Sequence, residues 1–204
     1  SIPITVYSLI TGKELISLLY KSKSFDDDSV ALTLGEFRFH IMGLLFIALN
    51  RIISPAFYAQ GNTKLPTLAG IISFGANIVL ALVFVRPFGG NGIALALTLA
   101  SFVNTLFLLI FMKKLDSFKI RKVVFQTLGY ILKMTVYSII AAIPCYFVHS
   151  LLVKFFAENS RIVSYGIPVI LTALLFAIIG IAELIITKDE IIHTIIQKVK
   201  SKKR

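Results

Sequence analysis

The amino-acid sequence predicts an all-α fold: a polytopic bundle of membrane helices with five full spans and one truncated span at the N-terminus. Of the 204 residues, 57% are hydrophobic and 15% are charged, and the mean hydropathy is +0.88. A soluble domain usually carries about 45–50% apolar and about 25% charged residues. The apolar residues also form runs of about 20, the length that crosses a hydrocarbon core about 30 Å thick. A water-soluble domain is therefore nearly excluded, and intrinsic disorder is excluded.

The predicted spans follow in order along the chain. Residues Ser1–Thr11 are apolar but too short to span, and they lack the basic region and cleavage site of a signal peptide. We therefore expect Ser1 to lie inside a helix whose first half is missing, as in a fragment of a longer protein. The five runs predicted as full spans are Phe39–Tyr58, Thr67–Val85, Gly92–Met112, Met134–Val153 and Ile162–Ile186.

Short polar connections separate these spans. In the first, KSKSFDDDS, Asp26–Asp28 can cap the following helix, because carboxylates are favoured at a helix N-terminus. QGNTKLP at 60–66 and RPFGGN at 86–91 contain the Gly, Asn and Pro of tight turns. Connections at 113–127 and 154–161 complete the set. Since all are short, we predict that consecutive helices are antiparallel neighbours.

The chain divides into three predicted units. Residues 1–127 hold the truncated span, three full spans and a cytoplasmic loop. Residues 128–187 hold the last two spans. Residues 188–204 form a basic tail, in which Ile and Val recur at helical spacing before KSKKR. This pattern predicts an amphipathic helix on an anionic inner leaflet.

The positions of Lys and Arg predict the orientation. Thirteen of the 21 basic residues lie on the side that holds the 60–66 turn, the 113–127 connection and the C-terminal tail, and six lie on the other side. Because basic residues accumulate in cytoplasmic loops, the first side is predicted to be cytoplasmic. The net charge of +11 is then explained by these loops and by anionic lipids, and we expect no nucleic-acid partner.

No pattern in the sequence indicates an enzyme. GxSxG, HExxH and GxxxxGK[ST] are absent. The three histidines fall on different predicted elements, and Cys145 is the single cysteine. We therefore predict no catalytic residues, no cofactor and no metal site.

Polar groups inside the predicted spans are the candidates for function, because they are costly in a membrane. Glu36 and His40 lie four residues apart on one helix face, either as a surface cluster or as the lining of a polar cavity. Arg51 ends its helix on the cytoplasmic side, where it can complement the helix dipole or meet a phosphate. Asn77 and Asn104 can hydrogen-bond across the hairpin formed by their two spans.

Two further features have mainly structural interpretations. Gly92, Ala96 and Ala100 recur every four residues, a stripe that lets another helix approach closely. Lys133 and Glu183 lie near the ends of their spans, so we expect their charged groups to reach the membrane interface.

The segment RIISPAFYAQGNTKLP at 51–66 resembles the cytoplasmic turn of the lipid II flippase family, MurJ. The matching residues are Arg51, Phe57, Tyr58, Ala59, Gly61, Asn62, Thr63, Lys64, Leu65 and Pro66. RPFGGNGIALALTLASFVNTLFL at 86–108 resembles the family's next turn and span. LISLLYKSKSF at 15–25 is similar to the family's LLFxxGxF segment but lacks its usual Gly.

This resemblance implies the C-terminal part of a fourteen-span protein of the bacterial cytoplasmic membrane. Such proteins flip the lipid-linked peptidoglycan precursor from the inner to the outer leaflet by alternating access. The implied partners are a polyprenyl pyrophosphate-linked oligosaccharide, membrane lipids and the missing N-terminal spans. Leu128–Val153 and Ile162–Ile186 resemble the spans that form a groove for the polyprenyl tail. The family's headgroup-binding arginines lie mainly in spans absent here, so we expect the fragment to be inactive alone.

Two alternatives remain open from the sequence. The chain can belong to an exporter of another lipid-linked sugar or of a drug-like solute in the same superfamily. It can also be a membrane scaffold without transport activity. Arginine-rich early helices would favour the anionic pyrophosphate, whereas an upstream region without spans would favour the scaffold.

Overall fold

The computed structural model describes residues 1–113 and 120–189, without the side chains of 120–123. Seven α-helices form this part of the chain, together with a π-helical turn, Ile162–Gly166, that leads into the last helix. The helices are α1 Ile2–Tyr20, α2 Asp27–Met42, α3 Leu44–Tyr58, α4 Lys64–Phe88, α5 Gly90–Met112, α6 Ile120–Phe155 and α7 Ile167–Ile186. The predicted all-α membrane bundle is confirmed.

Six helical segments of the described residues are long and apolar enough to cross a membrane. They include the five runs predicted as full spans. The sixth is α1, whose 19 residues extend well beyond the apolar run Ser1–Thr11. The hydropathy pattern stops early because Lys13 and Glu14 interrupt it. The helix nevertheless continues to Tyr20, and Glu14 lies in contact with His149 of α6.

The second membrane segment is also longer than the sequence predicts. It runs from Asp27 to Tyr58, and α2 and α3 meet within it at Gly43. A Cβ atom at Gly43 would lie 2.6 Å from Thr98 Oγ1, so glycine permits a close approach to α5. As predicted, Asp26 caps α2: its carboxylate accepts the backbone N–H of Ser29 at 2.9 Å, and this bond lowers the pKa of the carboxyl below its ordinary value.

Helix α6 begins at Ile120, so residues 120–127 of the predicted 113–127 connection are helical, and the predicted unit boundary after residue 127 falls inside a helix. At 1.5 Å per residue, its 36 residues extend about 54 Å, well beyond the hydrocarbon core. Hydropathy marks the apolar part of a helix and gives no signal for its polar extension. The amphipathic helix predicted in the tail falls mostly on residues 190–204, outside the described ranges.

The helices form two groups. In the first, α5 packs against α2, α3 and α4, around the buried side chains of Phe57, Leu108 and Phe111. In the second, α1 packs against α6, α7 and the π-helical turn, and the core contains Cys145 and Phe176. Because α1 also packs against α2, it joins the two groups.

Candidate functional site: two membrane cavities and a closely packed hairpin

The predicted small-residue stripe lies inside the α4–α5 hairpin. Gly92, Ala96 and Ala100 are all buried. A Cβ atom at Gly92 would overlap the backbone carbonyl oxygen of Phe84 in α4. Farther from the turn at Gly89, Ser73 Oγ donates to the carbonyl oxygen of Ala100 at 2.7 Å. The two helices therefore approach at backbone distance.

The two predicted asparagines are not partnered as expected. Asn104 Oδ1 is buried without a hydrogen-bond partner among the described residues, so this oxygen makes no bond with Asn77. The polar link to α5 is instead made by Asn50 of α3. Its Oδ1 accepts from Thr105 Oγ1 at 2.7 Å, and its Nδ2 donates to the carbonyl of Ser101 at 3.1 Å. No local sequence pattern marks Asn50, because the residue opposite it is 55 positions away.

Three of the candidate residues share one cavity. Glu36, His40 and Asn77 line a space of 670 Å³ between α1, α2, α4 and α5, which we call the α2 cavity. The Glu36 carboxylate lies against Gly90, the first residue of α5, so closely that a Cβ atom there would overlap it. A helix N-terminus is a favourable place for a carboxylate, because the macrodipole is positive there. Glycine at position 90 thus leaves room for this acidic group.

Arg51 lies apart from the α2 cavity. It is exposed on α3, in an open recess of 390 Å³ that it shares with Asn50, Ser54, Pro55 and Tyr58. No acidic side chain is among the described residues that line this recess.

The residues of the family-like turn divide into core and surface. Phe57 and Pro66 are buried, with Phe57 in the first core. Gly61 has φ +69°, a left-handed conformation that favours glycine. Asn62 Oδ1 accepts the backbone N–H of Leu65 at 3.2 Å, at the start of α4. The remaining candidates, Tyr58, Thr63 and Lys64, are exposed.

A second cavity lies between α1, α6 and α7. This apolar space of 320 Å³ is lined mainly by aliphatic and aromatic side chains, which include Ile4, Met134 and Phe176. We call it the α7 groove. Glu183 also lines it, and both of its carboxylate oxygens are buried without a hydrogen-bond partner in the described chain. Glu183 lies three residues before the end of α7, and its expected position at the membrane interface stays a prediction.

Lys133 forms an ion pair. Its ammonium group lies 2.6 Å from the carboxylate of Asp189, which is buried. Asp189 follows the end of α7, so this ion pair fastens the chain after α7 to α6. Sequence alone could not pair two residues separated by 56 positions.

A polar cluster joins α1, α6 and α7 next to the α7 groove. Its members are Glu14, His149, Thr172 and Tyr7. His149 Nε2 lies 3.0 Å from Glu14 Oε2, in a close contact that is not aligned as a hydrogen bond. No sequence pattern predicts this cluster, because its members come from distant segments without a common spacing. The described residues, this cluster included, contain no group of three His, Cys, Asp or Glu that could hold a metal ion.

The six membrane-length helices of the described residues, with the α2 cavity and the α7 groove among them, define a multi-pass helical membrane protein. The family model described as "Lipid II flippase MurJ" matches residues 1–166. Because the match covers most of the chain, the chain belongs to the lipid II flippase MurJ family.

Individual relatives agree with this assignment. The chain is 38% identical over 200 residues to the probable lipid II flippase MurJ of Treponema pallidum (strain Nichols), an alignment that covers 98% of this chain and 38% of that protein. It is 29% identical over 113 residues to the lipid II flippase MurJ of Thermosipho africanus (strain TCF52B), which covers 55% of this chain and 24% of that protein.

A solved structure has the same fold. The structure titled "Lipid II flippase MurJ, inward closed conformation" superposes with a TM-score of 0.68 at 24% identity. The superposition covers 93% of this chain and 36% of that one. The chain thus spans less than two fifths of the length of the Treponema relative and of this structure.

Proposed function

We propose that this chain works as part of a flippase that moves lipid II, the lipid-linked peptidoglycan precursor, from the inner to the outer leaflet of the bacterial cytoplasmic membrane. The observation that carries this proposal is the match to the flippase family over residues 1–166. Because the chain spans 38% of the Treponema relative, the activity is assigned to a protein of the relatives' length. The 60–66 turn and the C-terminal tail face the cytoplasm in this proposal, consistent with the positive-inside rule.

The proposed substrate is an amphiphile with two incompatible ends. Its sugar–pyrophosphate head needs polar and cationic groups that replace water, whereas its polyprenyl tail is stable in the hydrocarbon region. The apolar α7 groove suits the tail. The α2 cavity carries Glu36, His40 and Asn77 but no Lys or Arg among its described lining residues, so it suits a gate better than a pyrophosphate site.

In this proposal the cycle is alternating access without covalent chemistry. The α4–α5 hairpin acts as a rigid part of one lobe, because a backbone-distance contact at Gly92 leaves little room for sliding. Arg51, exposed and without a described acidic neighbour in its recess, is the cation of this chain that we assign to the phosphate. Other headgroup contacts come from the other lobe.

Complementation of a flippase-depleted bacterial strain tests this function with the intact protein. Arg51→Ala should lower the transport rate about tenfold, the cost of losing one charged hydrogen bond, and weaken growth. Arg51→Lys keeps the charge and should retain partial growth. The matched control is Arg86→Ala, which removes another exposed cation, at the opposite end of α4 from Lys64.

The outcomes separate two claims. Normal growth of Arg51→Ala at normal protein level would contradict the role of Arg51. Failure of the unmodified, membrane-inserted protein to support growth would contradict lipid II as its substrate. Equal defects in Arg51→Ala and Arg86→Ala would show a general effect of surface charge.

A further inference from the structure

The α7 groove occupies only part of the helix length. Its lining on α7 runs from Ala173 to Leu184, which is about 17 Å at 1.5 Å per residue, or roughly half of the hydrocarbon core. On α1 the lining residues end at Tyr7, and on α6 they end at Ala141. The groove therefore lies toward the end of the bundle where α1 begins and α7 ends, and it stops near the middle of these helices.

An aromatic pair forms the closed end of the groove. Tyr7 and Phe176 both line it, with ring centroids 5.4 Å apart. The Tyr7 hydroxyl donates to the carbonyl oxygen of Val169 at 2.5 Å and lies 3.2 Å from Thr172 Oγ1. These bonds hold the Tyr7 ring across the path that the groove would otherwise follow along α7.

The polar cluster continues from Tyr7 toward the α6–α7 connection. Thr172 is fully buried, and its hydroxyl lies 3.5 Å from His149 Nδ1. His149 in turn contacts Glu14, and the two side chains are only 7% and 12% exposed. Because a charge at this depth is costly unless it is paired, the contact between Glu14 and His149 draws α1 toward α6. The cluster thus ties together all three helices that form the groove.

We infer that this polar cluster is a closure of the α7 groove. While Glu14 and His149 are in contact, the groove takes an apolar chain only from the end that holds Ile4 and Glu183, and only as far as Tyr7. When that contact opens, α1 moves away from α6, the Tyr7 ring is released and the groove extends toward the α6–α7 connection. The identity of the chain as a polyprenyl tail rests on the proposed function; the closure itself does not.

Cys145 offers a built-in reporter for the closure. Its side chain is 0% exposed, and its thiol lies 3.8 Å from the carbonyl oxygen of Thr172, inside the cluster. The experiment measures the rate at which N-ethylmaleimide labels Cys145 in the intact protein in its membrane, read by mass spectrometry of the Cys145 peptide. Cys145→Ala, which lacks the thiol, is the negative control for labelling.

Glu14→Gln should open the closure and speed the labelling of Cys145 at least about tenfold, because the variant removes one partner of a buried pair. Exchanging the partners, Glu14→His with His149→Glu, should restore slow labelling. The matched control is Glu183→Gln at the opposite end of the groove, which should leave the labelling rate unchanged. Tyr7→Phe keeps the ring but loses the hydroxyl, and it should speed labelling about threefold.

Slow labelling in Glu14→Gln, or an equal acceleration in Glu183→Gln, would overturn the inference. If Glu14→Gln does not accumulate in the membrane, Tyr7→Phe decides the question, and an unchanged rate in that variant overturns the closure. The labelling rate does not depend on flipping. Failed complementation with the expected labelling pattern therefore refutes the proposed function alone, and normal complementation without that pattern refutes the closure alone.

Discussion

Small residues lie between membrane helices in both the α4–α5 hairpin and the α1–α6–α7 group, but with opposite results. In the hairpin, Gly92, Ala96 and Ala100 bring two backbones together and leave no space between them. In the α1–α6–α7 group, Ala141, Ala173 and Gly180 instead border an open groove. There, polar side chains such as His149 and Thr172 hold the helices together.

The difference shows that small residues alone do not determine whether two membrane helices touch. Small residues make a close contact possible, but the partner must present its backbone at the same level, as Phe84 does opposite Gly92. Gly75 and Gly180 have open space where a Cβ would lie. The hairpin is therefore suited to rigidity and the groove to a ligand.

Gly92→Ala should have the largest effect on the hairpin, because the new methyl group would overlap the backbone carbonyl of Phe84, which cannot rotate away. We expect a loss of about 2 kcal/mol of folding stability, typical of an overpacked contact. The measurement is unfolding in detergent, followed by the loss of helical circular dichroism. Gly75→Ala, on the open face of α4, is the matched control and should be neutral or stabilising. Equal effects of the two variants would refute the backbone-distance contact.

Thr105→Val should have a smaller effect on stability than Gly92→Ala. It removes the hydroxyl that donates to Asn50 at 2.7 Å between α3 and α5. Interhelical hydrogen bonds in membranes contribute about 0.6 kcal/mol on average, so we expect a loss of that size in the same unfolding measurement. Thr67→Val removes only a bond to Thr63 in its own turn and should change less. A loss as large as that of Gly92→Ala would mean that polar bonds hold both groups.

Much of the fold was predictable, because hydropathy and turn chemistry act locally. The five apolar runs lie in membrane-length helices, and Asp26 caps α2 as its position suggested. Hydropathy could not show that α1 continues past Lys13 and Glu14. The cost of Glu14 in the membrane depends on a partner, His149, that only the folded chain supplies.

Less of the candidate site was predictable. The i, i+4 spacing placed Glu36 and His40 on one face, and the structure adds Asn77 to the cavity that they line. The expected Asn77–Asn104 hydrogen bond does not form, because a hairpin fixes the order of its helices but not the rotation of each helix about its axis. The polar cluster of Glu14, His149, Thr172 and Tyr7 had no signal in the sequence, because contacts over more than 130 positions arise only from packing.

Photo-crosslinking can test whether the α7 groove holds the tail of a lipid-linked substrate. A photoreactive residue replaces either Ala177, which lines the groove, or its neighbour Ile178, which is 65% exposed and does not line it. In the intact protein in its membrane, we expect lipid II to crosslink at position 177 and not at position 178. Equal crosslinking at both positions, or none at position 177 in a protein that supports growth, would show that the α7 groove does not hold the tail.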